Sequence, residues 1–214
     1  MINIEGGRPV GSNMRRIIAT LLLVSFLGLG QAYPNGIDHR GDDGCVCHGG
    51  LDESTTVKLT GLPEEYNSSQ QYNITLTIES PVEMNAIQGG FRVDISHGSI
   101  TGDGWQIIEP EDYPNGYTHT SDSNDRRIWE AVWTPPAEED KLVTFIVHGN
   151  AVNGDDDISG DEWNSQSLAV PGPEYVGDVS APELTSQSLS NVQNIVGAIA
   201  ILSIVGLAIK AVRD

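Results

Sequence analysis

The feature that most limits what this chain can fold into is alternation. In QYNITLTIES, residues 71–80, Tyr72, Ile74, Leu76 and Ile78 fall on one side while Asn73 and Thr75 fall on the other, the period of a half-buried strand. Similar β-branched or alternating runs recur in TTVKLTGL, GGFRVDISHG, GWQIIEP, RRIWEAVWTPP, KLVTFIVHGNAV and SQSLAVPG. Clusters of Gly, Pro, Asn and Asp separate them, and none sustains a helical period. About seven short strands predict an all-β fold, an antiparallel β-sandwich spanning 55–170. Trp129 and Trp133 stand on one side of a single run, where a sandwich places its core aromatics.

The two ends of the chain are apolar in different ways. Arg15 and Arg16 precede IIATLLLVSFLGLG and then Gln31-Ala32, the charged, apolar and small-residue order of a secretory signal peptide over 1–32. Near the other end, Ile195 to Ile209 is uninterrupted by charge. A helix from 192 to 212, with Lys210 reaching to the interface, measures about 30 Å at 1.5 Å per residue and spans a hydrocarbon core. Lys210 and Arg213 place the tail, 213–214, in the cytoplasm and the amino terminus outside. The expectation is a single-pass membrane protein whose domain is displayed at the cell surface, with 171–191, rich in Pro, Gly, Ser and Gln, as a stalk.

Charge narrows the partners. Between Tyr33 and Val192 there are 6 basic and 28 acidic residues, and the whole chain carries a formal charge of −19. Such a surface excludes nucleic acid, which needs a basic footprint. It suits an exterior that must stay hydrated, or the steering of a basic partner protein.

The chemistry gathers in the segment 33–54, where DHRGDDGCVCHGG holds both cysteines, Cys45 and Cys47, followed by His48. Covalent haem needs two thiols to add to its vinyl groups and a neighbouring imidazole for the iron, so Cys and His crowd into one short turn. The usual two residues between the cysteines are one here. A zinc site from Cys45, Cys47, His48 and a further histidine, or a small labile disulfide, fits the same residues. For the second axial position the chain offers His39, His97, His119, His148 and, more weakly, Met84. His119, in the polar sequence GYTHTSDS, is the candidate distal ligand. His148 alternates with Leu142, Thr144 and Ile146 and reads as a hydrogen-bonded strand histidine.

The order GCVCHGG, then YTHTSDS, then WEAVWTPPAEEDKLVTFIVHGNAVNGDDDISGD resembles the choice-of-anchor V family, extracellular Reelin-domain-like β-sandwiches with an amino-terminal Cys/His segment. The resemblance covers most of residues 40–170. It implies a sandwich tethered at its carboxy-terminal end, with Cys45, Cys47 and His48 on the haem-like motif and His119 on the Thr-His-Thr-like loop. The function it leads to is haem c electron transfer with a redox partner, or small-ligand sensing. The alternative is a surface adhesion or interaction module whose cysteine cluster holds zinc or a disulfide.

Two further patterns stand out. In NGDDDISGDEW, Asp155, Asp157, Ser159 and Asp161 alternate as in the first half of a calcium loop, but Gln166 stands where the distal bidentate acid belongs. Asn67 and Asn73 each head an N-x-Ser/Thr triplet, the acceptor pattern for a glycan on an exported chain. No nucleophile elbow, phosphate loop or His-Glu-x-x-His occurs, so no catalytic set can be named.

Overall fold

The computed structural model describes residues 34–42, 44–45, 49–108, 116–155, 158–184 and 191–213. Ten strands make two sheets. The larger runs in the order β1 (Gly50–Leu51), β10 (Glu162–Pro171), β9 (Leu142–Ala151), β4 (Gly89–Ile95), β7 (Gly116–His119), β6 (Trp105–Gln106). The smaller runs β2 (Thr56–Thr60), β3 (Tyr72–Glu79), β8 (Ile128–Thr134), β5 (Ser99–Thr101). Every pairing is antiparallel except β1 with β10, so the sheet class is as expected apart from one short parallel edge.

The inner faces are those the alternation marks. Ile74, Leu76 and Ile78 of β3 meet Trp129, Ala131 and Trp133 of β8, and against them pack Phe91, Val93 and Ile95 of β4 and Val143, Phe145 and Val147 of β9. Trp133 lies edge-on to Tyr66 and Phe145, with ring centroids 6.0 Å and 5.1 Å away. Tyr66 closes one end of the core, its hydroxyl donating to Glu138 O at 2.5 Å. The edge strand β2 is tied across to the larger sheet, since Leu59 N donates to the Gln166 side chain at 2.7 Å. That is the work of the residue that occupies the missing acid's place.

Arg127, just before β8, shares the inward side of that strand with Trp129 by alternation and is buried. No carboxylate neutralises it directly among the described contacts. Its guanidinium donates instead to Gln88 O (2.8 Å), Val82 O (3.0 Å), Val152 O (3.2 Å) and Glu83 O (3.3 Å), joining three connections at one end of the sandwich. Burial lowers its pKa from the usual arginine value, and the nearby Asp161 and Glu162 oppose that.

The structure differs from the sequence reading in places. Three strands were not expected: β1, β5 and β7, each of two to four residues, too short for alternation to register. GWQIIEP supplies only Trp105–Gln106. Trp163, a core candidate together with Trp105, Trp129 and Trp133, instead belongs to the outer face of the larger sheet and lies outside the core cluster. The segment expected to be a signal peptide, 1–32, falls outside the described residues. Residues 172–184 form no regular element, and the first of them stay bound to the sandwich, Gly172 N donating to Lys141 O and Glu174 N to Glu139 O, each at 2.9 Å. A helix, α1 (Asn191–Arg213), follows. Among the described residues no helix is long and apolar enough to cross a membrane. The sandwich and α1 belong to separate compact units.

Replacing Arg127 with Met leaves several buried carbonyls without donors. The expected loss is about 3 kcal/mol of stability, read as a lower urea midpoint at unchanged slope.

Candidate functional site

The strand β4 and the second half of β9 are covered on both faces. Inside lies the core; outside lies the segment 34–45, which crosses the larger sheet as a strap from β6 and β7 towards β10. Its first anchor is at β7, where Ile37 N donates to Thr118 Oγ1 (3.1 Å), which itself donates to Phe91 O (2.7 Å). Gln106 Nε2 donates to Asn35 O at 2.9 Å. A single 3-10 turn, His39–Gly41, is capped by Asp38, whose carboxylate accepts from Arg40 N (3.0 Å) and Nε (2.7 Å). The Arg40 hydrogen bonds hold the Asp38 carboxyl below its usual value.

The second anchor lies over β4 and β9. Buried Arg92 donates from Nε to Asp42 Oδ1 at 2.8 Å. His148 Nε2 meets Asp42 O at 2.9 Å and its Nδ1 meets Ser165 Oγ at 2.5 Å. Since a carbonyl only accepts, Nε2 carries the proton and Nδ1 receives the Ser165 hydroxyl. Cα partners Ser165, His148, Arg92 and Thr118 thus form one transverse row beneath the strap. His148 is the hydrogen-bonded strand histidine that alternation suggests.

The next row consists of Trp163, Asn150 and Gly90, again direct register partners. At its β10 end Gly44 lies flat on the Trp163 indole: a Cβ there would stand 2.7 Å from Cζ3, and its φ of +114° suits glycine. Cys45 follows at once, half-buried. In the middle, Asn150 Oδ1 is buried without a hydrogen-bond partner among the described residues. At the β4 end the imidazole of His119 fills the space a side chain at Gly90 would take, Cε1 and Nε2 lying 2.4 Å and 2.9 Å from where that Cβ would be. By alternation with core-facing Phe91, this space opens on the outer face. Two interstrand spacings, about 10 Å, separate Trp163 from Gly90.

His119 therefore needs correcting as a loop residue. It ends β7, it is buried, and its ring centroid is 6.0 Å from that of Phe91. Phe91 N donates to its Nδ1 at 3.2 Å, and Phe91 O stands 3.4 Å from the same nitrogen. Burial disfavours the imidazolium and holds its pKa below 6.5. Of the other candidates, His39 and Asp38 are 4.0 Å apart in the strap, His97 Nδ1 contacts Ser96 Oγ (3.0 Å), and Met84 is exposed. Cys47 and His48 lie outside the described residues, as does Asp157.

The acidic loop is organised by Asn153, which the sequence reading passed over. Its Nδ2 donates to Asp155 Oδ2 (3.2 Å) and Ser159 O (3.0 Å), while its N donates to Asp161 Oδ1 (3.0 Å). The carboxamide and the backbone N–H of one residue thus supply the donors among the oxygens that alternate in the sequence. Among the described residues no three His, Cys, Asp or Glu side chains are grouped to hold a metal.

No family model and no curated protein matches this chain. Among solved structures it is similar to the human F-spondin reeler domain, at 15% identity and a TM-score of 0.36 over 57% of this chain and 91% of that one. It is also similar to the Reelin-N domain of F-spondin (17%, 0.36, 57% and 88%) and to a conjugative transposon lipoprotein from Bacteroides eggerthii (15%, 0.34, 54% and 97%).

Because the folded state keeps His119 neutral, the unfolded chain binds more protons on acidification. Stability conferred by this group is complete above about pH 6.5 and is lost as the pH falls below it. The urea midpoint should drop between pH 7 and 5, and His119→Gln should flatten that slope.

Proposed function

We propose that this protein is an exported β-sandwich, tethered by a single carboxy-terminal helix, that carries one haem c and serves in electron transfer or small-ligand sensing. The observation that supports this best is the outer-face row itself. Gly44, next to the first motif cysteine, is seated on Trp163, and along the same row a neutral histidine lies over a glycine with its neighbour Asn150 holding an unused acceptor.

The residues fit such a group. Cys45 and Cys47 would take the thioether bonds and His48 the proximal position, with His119 as second ligand. When bound, the group supplies a one-electron couple at its iron. The chain's own part is to hold the ligand side chains ready. Burial withholds the proton that would block the His119 lone pair. The backbone of Phe91 serves either tautomer: its N–H supports Nδ1 as an acceptor, and its carbonyl receives a proton from Nδ1 when Nε2 must be the bare nitrogen. The strap's bonds to Arg92 and His148 fix the distance between the cysteine segment and this ring.

Tethering draws support from α1, whose 23 residues expose Ile195, Val196, Ile199, Ile201, Leu202, Val205, Leu207 and Ile209. A helix with apolar residues on several faces, and with Lys210 and Arg213 near its carboxy-terminal end, suits contact with lipid. The acidic domain then faces outward and steers a basic redox partner.

The full chain, purified from membranes of a host with a c-type maturation system, is measured oxidised and dithionite-reduced. Sharp reduced bands that survive acid-acetone extraction are expected, with Cys47→Ser abolishing them. His119→Ala should keep the covalent group and turn a six-coordinate spectrum into a five-coordinate one. A colourless protein overturns the reading in favour of an interaction module holding zinc or a disulfide.

A further inference from the structure

The two N-x-Ser/Thr triplets sit in opposite backbone states, and that difference assigns them. We infer that Asn67 is the acceptor of an N-linked glycan and that Asn73, six residues later, is not. The inference rests on the export reading above.

Asn67 is exposed, in the turn that leads into β3. Its Oδ1 accepts from Ser69 N at 2.8 Å, so the triplet is already bent into an Asx turn. Gln70 N donates to Asn67 O at 3.0 Å, and Asn67 N donates to Tyr72 OH at 2.8 Å, pinning the turn from both sides. With the carboxamide oxygen engaged, Nδ2 has no hydrogen bond among the described residues. The hydroxyl of Ser69, the third residue of the triplet, is likewise unengaged, and Ser69 is exposed. A transferase therefore meets a protruding, preformed bend.

Asn73 is exposed too, but it belongs to the extended interior of β3. It faces Val132 of β8 in register, and on its other side Gly61, just past β2, is pressed against its carbonyl. The middle residue of its triplet, Ile74, is sealed in the core. Bending this triplet would break β3 out of the smaller sheet.

The donor is a glycan carried on a lipid phosphate. Asn67 Nδ2 bonds to the anomeric carbon and gives up a proton, and the lipid phosphate leaves with the electron pair of the broken C–O bond. The position suits an anchored domain. Tyr66 N donates to Pro171 O at 3.0 Å, so the turn stands where β10 ends and the chain leaves the sandwich. The strap and Cys45 lie towards the other end of β10, and a glycan on Asn67 leaves them uncovered.

The full chain is isolated from its own host, its amino-terminal residue is determined, and chymotrypsin, cutting after Tyr66 and Tyr72, separates the two sites for peptide mass analysis. The expected result is a sugar mass shift on the Asn67 peptide and a bare Asn73 peptide. The shift is lost in Asn67→Gln and in Ser69→Ala, which keeps the Asx turn, and is retained in Asn73→Gln. A bare Asn67 in a chain that begins after Ala32 overturns the inference while export stands, as does sugar on Asn73 alone. A bare Asn67 in a chain that keeps residues 1–32 overturns both.

Discussion

The guanidinium of Arg92 is enclosed on the outer face of the larger sheet, and Asp42 meets it from a segment that precedes the first strand of the sandwich. Removing Asp42 would take a carboxylate from a buried guanidinium, a larger penalty than a fully exposed pair could incur. The same residue's carbonyl receives the His148 proton, so two buried polar side chains on adjacent strands depend on one residue of the strap. This dependence turns the amino-terminal segment from a tail into a layer of the fold. It also covers the outer face of β4 and of the second half of β9, which is why burial there does not alternate.

Alternation made the core legible because one face of β2, β3 and β8 still meets water. Val57, Leu59, Ile74, Leu76, Ile78, Trp129 and Trp133 all point where their periods say. The site was less legible. His119 looked solvated because Thr120, Ser121 and Asp122 follow it, yet its burial is decided by Gly90, 29 positions earlier. The signal lay in the Gly89-Gly90 pair opening a strand pattern, which marks a close approach of something other than its own side chain. Arg127 could have been found too, since it falls in phase with Trp129, Ala131 and Trp133 and so had to be buried and satisfied. Asn153 could not: its role depends on where a loop closes.

The long strand β10 gives the domain its polarity. Its first half carries Trp163 and Ser165, on which the strap and His148 rest; its last residue, Pro171, accepts from Tyr66 at the end where the core is plugged. Ten residues at about 3.3 Å each put some 30 Å between these ends. The strap thus rests on one half of β10, and the chain leaves the sandwich from the other end.

Phe91 couples the two layers. Its ring packs on Trp105 (4.4 Å between centroids) and Trp129 (5.0 Å) inside the core, while its backbone N–H and carbonyl flank one nitrogen of His119 and its carbonyl also receives Thr118 Oγ1. A core residue that cannot shift without disturbing two tryptophans therefore sets the tilt of the imidazole. Because an interior packed at crystal density yields little, that tilt is held by the hydrophobic core rather than by the surface loop that follows. The histidine's orientation is thus as stable as the sandwich, and its tautomer is the one degree of freedom left to it.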